Sequence, residues 1–228
     1  MIRAGYYPAS VTEVADRPGE IVWTVVVGGG GGARFGRVKQ YEPLGSARVL
    51  DVAVEAAHKA SDGVVVVVPA EDAAREHGVA GGPTRSASVR AGMAAVPVEA
   101  TIICVHDAAR PLATPDLFMA VVEAVHTGAD GAVPAVPVTD TIKTVDGSGR
   151  VVATPDRSTL VAVQTPQAFR ADVLRRAHAE GGDGTDDAAL VERLGGRVVV
   201  VPGESWNRKI TEPDDLAWAR RWLAERTA

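Results

Sequence analysis

Cysteine is almost absent from this sequence. The single Cys104 leaves no intrachain disulfide to close. Its place in the apolar run 101–105 reads as an inert buried thiol. Aromatic residues make up only 4 %, too few for the base-stacking platforms of single-strand nucleic-acid binders. A basic excess is missing too. Against 29 Asp and Glu stand 24 Lys and Arg, a net charge of −5, which excludes non-specific wrapping of nucleic acid. Long apolar runs are lacking. The longest pure-valine stretch covers 64–68, far short of the roughly 18 residues a spanning helix needs. No charged-then-apolar segment opens the chain, so the expectation is a cytoplasmic protein without a membrane partner. Cys and His never cluster at metal-ligand spacing, which disfavours zinc. No Gly-x-Ser-x-Gly elbow supports acyl transfer.

What is present is a chain of 228 residues, 46 % hydrophobic, long enough for a sizeable core. Residues 1–20 carry Pro8, Pro18 and Gly19 without a clear period and read as an N-terminal extension. Residues 21–228 read as one domain. Val- and Ile-rich runs recur at 21–27, 63–68, 101–105, 132–136, 160–163 and 197–201. They do not alternate in polarity, as expected of strands buried on both faces.

Helical patterns lie between the runs. Leu50, Ala53, Val54 and Ala57 share one face, as do Phe118, Val121, Val122 and Val125. Thr114-Pro115-Asp116 is a helix start: a capping hydroxyl, a first-turn proline and an acid at the positive dipole end. Strands alternating with helices predict an α/β, Rossmann-like fold, a mostly parallel sheet with helices on both faces. Between about 138 and 163 the alternation stops. Two half-polar stretches flank Asp146-Gly147-Ser148-Gly149, a hairpin turn that predicts a projecting β-arm.

The first run leads into Gly28-Gly29-Gly30-Gly31-Gly32-Ala33-Arg34-Phe35-Gly36-Arg37-Val38-Lys39-Gln40. Consecutive glycines let backbone N–H groups turn toward phosphate oxygens without Cβ clashes. Three cations follow, so the segment predicts an anion site at a strand end. The GxxxxGK[ST] phosphate loop is absent. A GxGxxA reading of Gly28, Gly30 and Ala33 is satisfied by any glycine run. About fifteen residues separate these glycines from the next helical pattern, too many for a dinucleotide fingerprint.

Three further words follow: Gly81-Gly82-Pro83-Thr84-Arg85-Ser86-Ala87-Ser88, His106-Asp107-Ala108-Ala109-Arg110-Pro111 and Asn207-Arg208-Lys209-Ile210-Thr211. Together with the glycine loop and Lys39-Gln40, this pattern resembles the 2-C-methyl-D-erythritol 4-phosphate cytidylyltransferase family from about Ile21 to Leu223. The resemblance implies a nucleotidyltransferase-type fold and transfer of CMP from CTP to a sugar-alcohol phosphate, with Mg²⁺ as the divalent cation. It implies that Arg34 and Lys39 hold the triphosphate and that Lys209 holds the attacking phosphate. The glycine loop, Gly30, Gly31 and Gly32, with Gly81, Gly82, Ser88 and Asp107, would bind the nucleotide, with Asp107 near the metal. Arg110 would hold the acceptor. Thr141 and Arg157 on the arm would reach the acceptor in a partner subunit's site, so a homodimer is expected.

The family's usual Pro-Ala-Ala is here Val27-Gly28-Gly29, and Val38 replaces a proline before Lys39. Arg37 is an alternative to Arg34 on this loop. Ribitol 5-phosphate remains an alternative acceptor. Two readings from other classes are a non-catalytic nucleotide-binding paralogue and a dinucleotide-dependent oxidoreductase. Read alone, Asp107 and Arg110 form a strand-end ion pair, and Asp186-Asp187 begins a solvated helix. His106 reads as a support of its loop, and Trp218 and Trp222 as packing on the last helix.

Overall fold

The computed structural model describes residues 19–29, 35, 38–180 and 182–227. The expectations for residues 1–18 and for Gly30, Gly31, Gly32, Arg34 and Arg37 lie outside the described residues.

Strand β1 (Val22–Val27) is followed by a short 3-10 turn (Lys39–Tyr41), the ribbon β2 (Pro43–Leu44) and β3 (Ala47–Arg48), and helix α1 (Val49–His58). Then come β4 (Gly63–Val68), β5 (Val79–Ala80), α2 (Arg85–Met93), β6 (Ile102–Asp107), α3 (Pro115–His126) and β7 (Gly131–Pro137). The arm carries β8 (Thr144–Val145) and β9 (Val151–Ala153). The chain returns through β10 (Val161–Val163), β11 (Gln167–Arg170), α4 (Ala171–Ala179), α5 (Ala188–Arg193), β12 (Val198–Pro202) and α6 (Pro213–Thr227).

The main sheet runs β10-β7-β11-β6-β1-β4-β5, with β12 also on β7. The β1, β4, β5 and β6 pairings are parallel, as are β7 and β12. β11 lies antiparallel between β6 and β7. Helices cover both faces: α2, α4 and α5 pack on one around Val25, Val67 and Ile103, and α1 and α3 on the other around Val26, Leu50 and Phe118. Phe118 is fully buried.

Two expectations about burial are corrected. β10 is exposed along its length and β12 is only partly covered. Both are valine-rich because strand propensity, rather than burial, selects β-branched residues at a sheet margin. β10 also belongs to the main sheet, so the projecting part of 138–163 ends before it. The hairpin turn is where the sequence puts it. The Asp146 carboxylate accepts from Ser148 N at 3.0 Å and Arg150 N at 3.1 Å, and Gly149 takes φ 84°.

Local chemistry sets the site-bearing helices. Thr84 Oγ1 accepts from Ala87 N at 3.1 Å and opens α2. Thr114 Oγ1 accepts from Leu117 N at 3.3 Å and opens α3, as its Thr-Pro-Asp start predicts. Asp215 reaches back to Thr211 N at 2.8 Å and Glu212 N at 2.9 Å at the start of α6. On α6, Trp222 packs against Trp218 and Trp206, with ring centroids 6.5 and 6.0 Å away.

Candidate active site

The carboxyl ends of β1, β4 and β6 meet at one edge of the sheet, where open α/β proteins place ligands. Val27 sits in register with Asp107 and Val67. Beyond them opens a cavity of about 390 Å³. Its walls include Gly28, Gly29, Lys39, Gly82, Asp107 and Lys209. Gly28 N donates to Val67 O at 2.7 Å, and a Cβ on Gly29 would stand 3.4 Å from Ser88 Oγ.

The Gly81–Thr84 turn forms a second wall. Ser88 Oγ accepts from Gly82 N at 3.1 Å and lies 3.0 Å from Thr84 O. A Cβ on Gly82 would approach Ala87 Cβ to 2.5 Å, so only glycine fits this turn as built. The polar backbone is thus presented at close range to whatever fills the cavity.

Two further cavities adjoin the first. One, of about 210 Å³, is lined by Arg85, Asp107, Arg110, Thr165, Gln167 and Lys209 among others. The other, of about 380 Å³, is lined by Arg110, Val163, Asn207, Arg208 and Lys209 among others. Lys209 borders all three.

Asp107 is the electrostatic centre. Lys209 Nζ donates to its Oδ2 at 2.6 Å, and Arg85 Nε donates to its Oδ1 at 3.0 Å. Burial works against its charge, but the Arg85 and Lys209 cations win and hold the carboxyl below the usual range. Arg110 meets Asp107 through the backbone, its N–H donating to Asp107 O at 2.9 Å, while its guanidinium makes its hydrogen bonds elsewhere. That guanidinium donates to Asn207 O at 2.7 Å and Val163 O at 3.3 Å, and burial lowers its pKa. The alternative reading of a strand-end ion pair between Asp107 and Arg110 gives way to two ion pairs, one with Arg85 of α2 and one with Lys209 of the loop before α6.

His106 is fully buried, and burial pushes its pKa down to about 4. Its ring packs 5.0 Å from Phe118, and Nδ1 lies 3.1 Å from Thr165 Oγ1. Thr165 Oγ1 also accepts from Asp107 N at 3.0 Å. The neutral imidazole therefore supports the strand end that aims Asp107, in line with its reading from sequence.

The loop 203–211 is fixed by buried polar contacts. Asn207 Nδ2 donates to Thr165 O at 2.9 Å, and Gln164 Nε2 donates to Glu204 O at 2.8 Å. Glu204 in turn bonds the Thr114 hydroxyl and accepts from Thr114 N at 3.2 Å. Lys39 Nζ donates to Ile210 O at 2.8 Å.

Of the residues singled out from sequence, Lys39, Gly82, Ser88, Asp107, Arg110 and Lys209 line these adjoining cavities, and Gly81 leads into the Gly82 turn. Thr141 and Arg157 do not. Both are exposed on the arm, where Arg157 Nη1 donates to Thr139 O at 2.7 Å. Sequence reasoning missed Arg85, the first residue of α2, although its word was already singled out. It also misplaced Asp187, which is fully buried.

Among the described residues no cluster of three His, Cys, Asp or Glu forms a metal centre. Asp107 is the kind of carboxylate Mg²⁺ takes when phosphates supply its other oxygens. With both its oxygens held by Lys209 and Arg85, it would share them with the ion once the triphosphate had offset the two cations.

The comparisons bear on the whole domain. A family model described as IspD, 2-C-methyl-D-erythritol 4-phosphate cytidylyltransferase, matches residues 22–225. The chain is 47 % identical to the cytidylyltransferase of that name from Rhodococcus jostii, over 93 % of this chain and 99 % of that one. It is 44 % identical to a bifunctional IspD/IspF enzyme from Anaeromyxobacter dehalogenans, but spans only 58 % of that protein's length. Among solved structures, the Thermus thermophilus enzyme superposes with TM-score 0.75 at 34 % identity, covering 90 % of this chain and 99 % of that one. The Anaerococcus prevotii synthase gives TM-score 0.79 at 26 % identity, with the same coverage. The chain belongs to the 2-C-methyl-D-erythritol 4-phosphate cytidylyltransferase family.

Proposed function

We propose that this protein transfers CMP from CTP to 2-C-methyl-D-erythritol 4-phosphate, releasing pyrophosphate, a step of isoprenoid-precursor synthesis. The observation that carries this reading is Lys209, whose side chain borders the glycine-walled cavity and both neighbouring ones. A cation at that junction suits a reaction in which two anions must meet.

In the reaction, an oxygen of the acceptor's phosphate monoester attacks the α-phosphorus of CTP. A new P–O bond forms, and the bond to the pyrophosphate oxygen breaks. The monoester dianion is already nucleophilic, so no strong general base is required. What the protein supplies is neutralisation and alignment. Lys39, with Arg34 or Arg37, holds the triphosphate against the glycines Gly30, Gly31 and Gly32. Gly81, Gly82 and Ser88 present the nucleoside wall. Arg110 steadies the acceptor, and Lys209 meets the attacking phosphate. Asp107 would hold Mg²⁺ together with the phosphates. When bound, that ion withdraws charge from the triphosphate and improves the leaving group.

The arm is the proposed dimer contact. Val145, Val151 and Val152 are exposed at 52–55 %, and Ile142 is exposed as well. A second copy covering them would bring Thr141 and Arg157 to the acceptor of the neighbouring site. Pyrophosphate release from CTP and 2-C-methyl-D-erythritol 4-phosphate tests the reading. Wild-type turnover by Lys209→Ala would defeat it.

A further inference from the structure

Asp187 is fully buried at the start of α5, yet its side chain does not cap that helix. An aspartate there ordinarily turns onto the free N–H groups of the first turn. Asp186 does so instead, accepting from Ala189 N at 3.0 Å. The Asp187 carboxylate faces the other way. Its Oδ1 meets His178 Nε2 at 2.9 Å, and its Oδ2 accepts from Arg85 Nη1 at 2.7 Å. Arg85 continues to Asp107, and Asp107 to Lys209. The contacts run unbroken from α4 to the junction of the cavities.

A carboxylate removed from water is costly unless it is paired. Here the fold retains one that helix capping does not use. Arg85 lines both the cavity walled by glycines and its smaller neighbour. A guanidinium in that place is free, on charge grounds alone, to fork onto triphosphate oxygens. With one end on Asp187 and the other on Asp107, it is committed to two carboxylates.

We propose that Asp187 is a positioning residue: it ties Arg85 to Asp107 and away from the triphosphate, so that Asp107 keeps Lys209 at the junction. His178 holds the second oxygen of Asp187 and fixes its aim. The proposal rests on the function given above, so pyrophosphate release by the unaltered protein is measured first. Failure there defeats that reading and not this one.

Asp187→Asn keeps the shape and removes the charge. With Arg85 released toward the nucleotide, kcat falls by about 10–100-fold, the size of effect seen when a supporting shell is lost. Neither the KM nor the calorimetric Kd for CTP rises. In an Arg85→Gln background the same substitution adds no further loss, because its effect runs through Arg85. A merely structural role predicts the opposite: a lower melting temperature, unchanged kcat per folded molecule and an equal penalty in both backgrounds.

Unchanged kcat, weakened CTP binding or additive losses would overturn the proposal. Should Asp187→Asn fail to fold, Arg85→Lys decides. An ammonium lacks the fork that spans two carboxylates. Its kcat is expected to drop by a similar factor, and a kcat equal to the unaltered protein's overturns the proposal.

Discussion

Lys39 Nζ donates to the carbonyl of Ile210 at 2.8 Å, across 171 positions of sequence. Ile210 directly follows Lys209, so the bond couples the end of the glycine loop to the segment that carries the other cation. Arg110 joins the same segment through Asn207 O. Three cations from three parts of the chain are therefore registered on one loop, 203–211.

Lys39→Ala removes one cation from the reacting phosphates as well as that tie. Turnover should fall by about 10²–10³-fold, as for a lost oxyanion donor. Circular dichroism should report an unchanged fold. Steady-state pyrophosphate release checks the first expectation.

Gly82→Ala forces a methyl group against Ala87 Cβ, 2.5 Å from its ideal position. The turn must shift, at an overpacking cost of about 1–3 kcal/mol. The KM for CTP should rise, while the KM for the acceptor changes little. Initial rates with each substrate varied in turn separate the two.

Buried neutral His106 makes stability depend on pH. Its folded pKa of about 4 lies below the ordinary 6.5, so between these values the unfolded chain binds more protons. Stability is complete above pH 6.5 and is lost as pH falls toward 4. From neutrality to pH 5 the loss from this group is about 2 kcal/mol. Urea unfolding at pH 7 and pH 5 measures it, and His106→Gln should flatten the difference.

If the arm acts in the neighbouring subunit, Lys209→Ala and Arg157→Ala should complement each other. Each pure variant is impaired at both of its sites. A mixed dimer has one site with Lys209 and the partner's Arg157 both present. Activity on mixing should exceed that of either variant alone. Mixtures that stay at the average of the two would place Arg157 outside the partner's site.

Much of the parallel half of the sheet was legible because its strands are uninterrupted apolar runs. β4 falls at 63–68 in both readings, and β1 begins one residue later than the run. β11 and α4 were not legible. Gln167–Arg170 is short and carries a polar residue at each end, and its place between β6 and β7 is set by tertiary pairing. Periodicity does not reach across such distances. The site words were legible as words, since glycine pairs and strand-end acids have local causes. Who pairs with whom was not. Asp107 and Arg110 are three positions apart, yet Asp107 takes Arg85 and Lys209, 22 and 102 positions away. Asp187 read as solvated because a helix start with two acids has that look, and the burial comes from α4 and α2 folding over it.

The most direct test of the account is pyrophosphate release with CTP and Mg²⁺, comparing 2-C-methyl-D-erythritol 4-phosphate with ribitol 5-phosphate as acceptor. Turnover is expected with the methylerythritol phosphate, little with ribitol 5-phosphate, and its collapse in Lys209→Ala. Binding of CTP without release from either acceptor, or turnover with ribitol 5-phosphate alone, would contradict it.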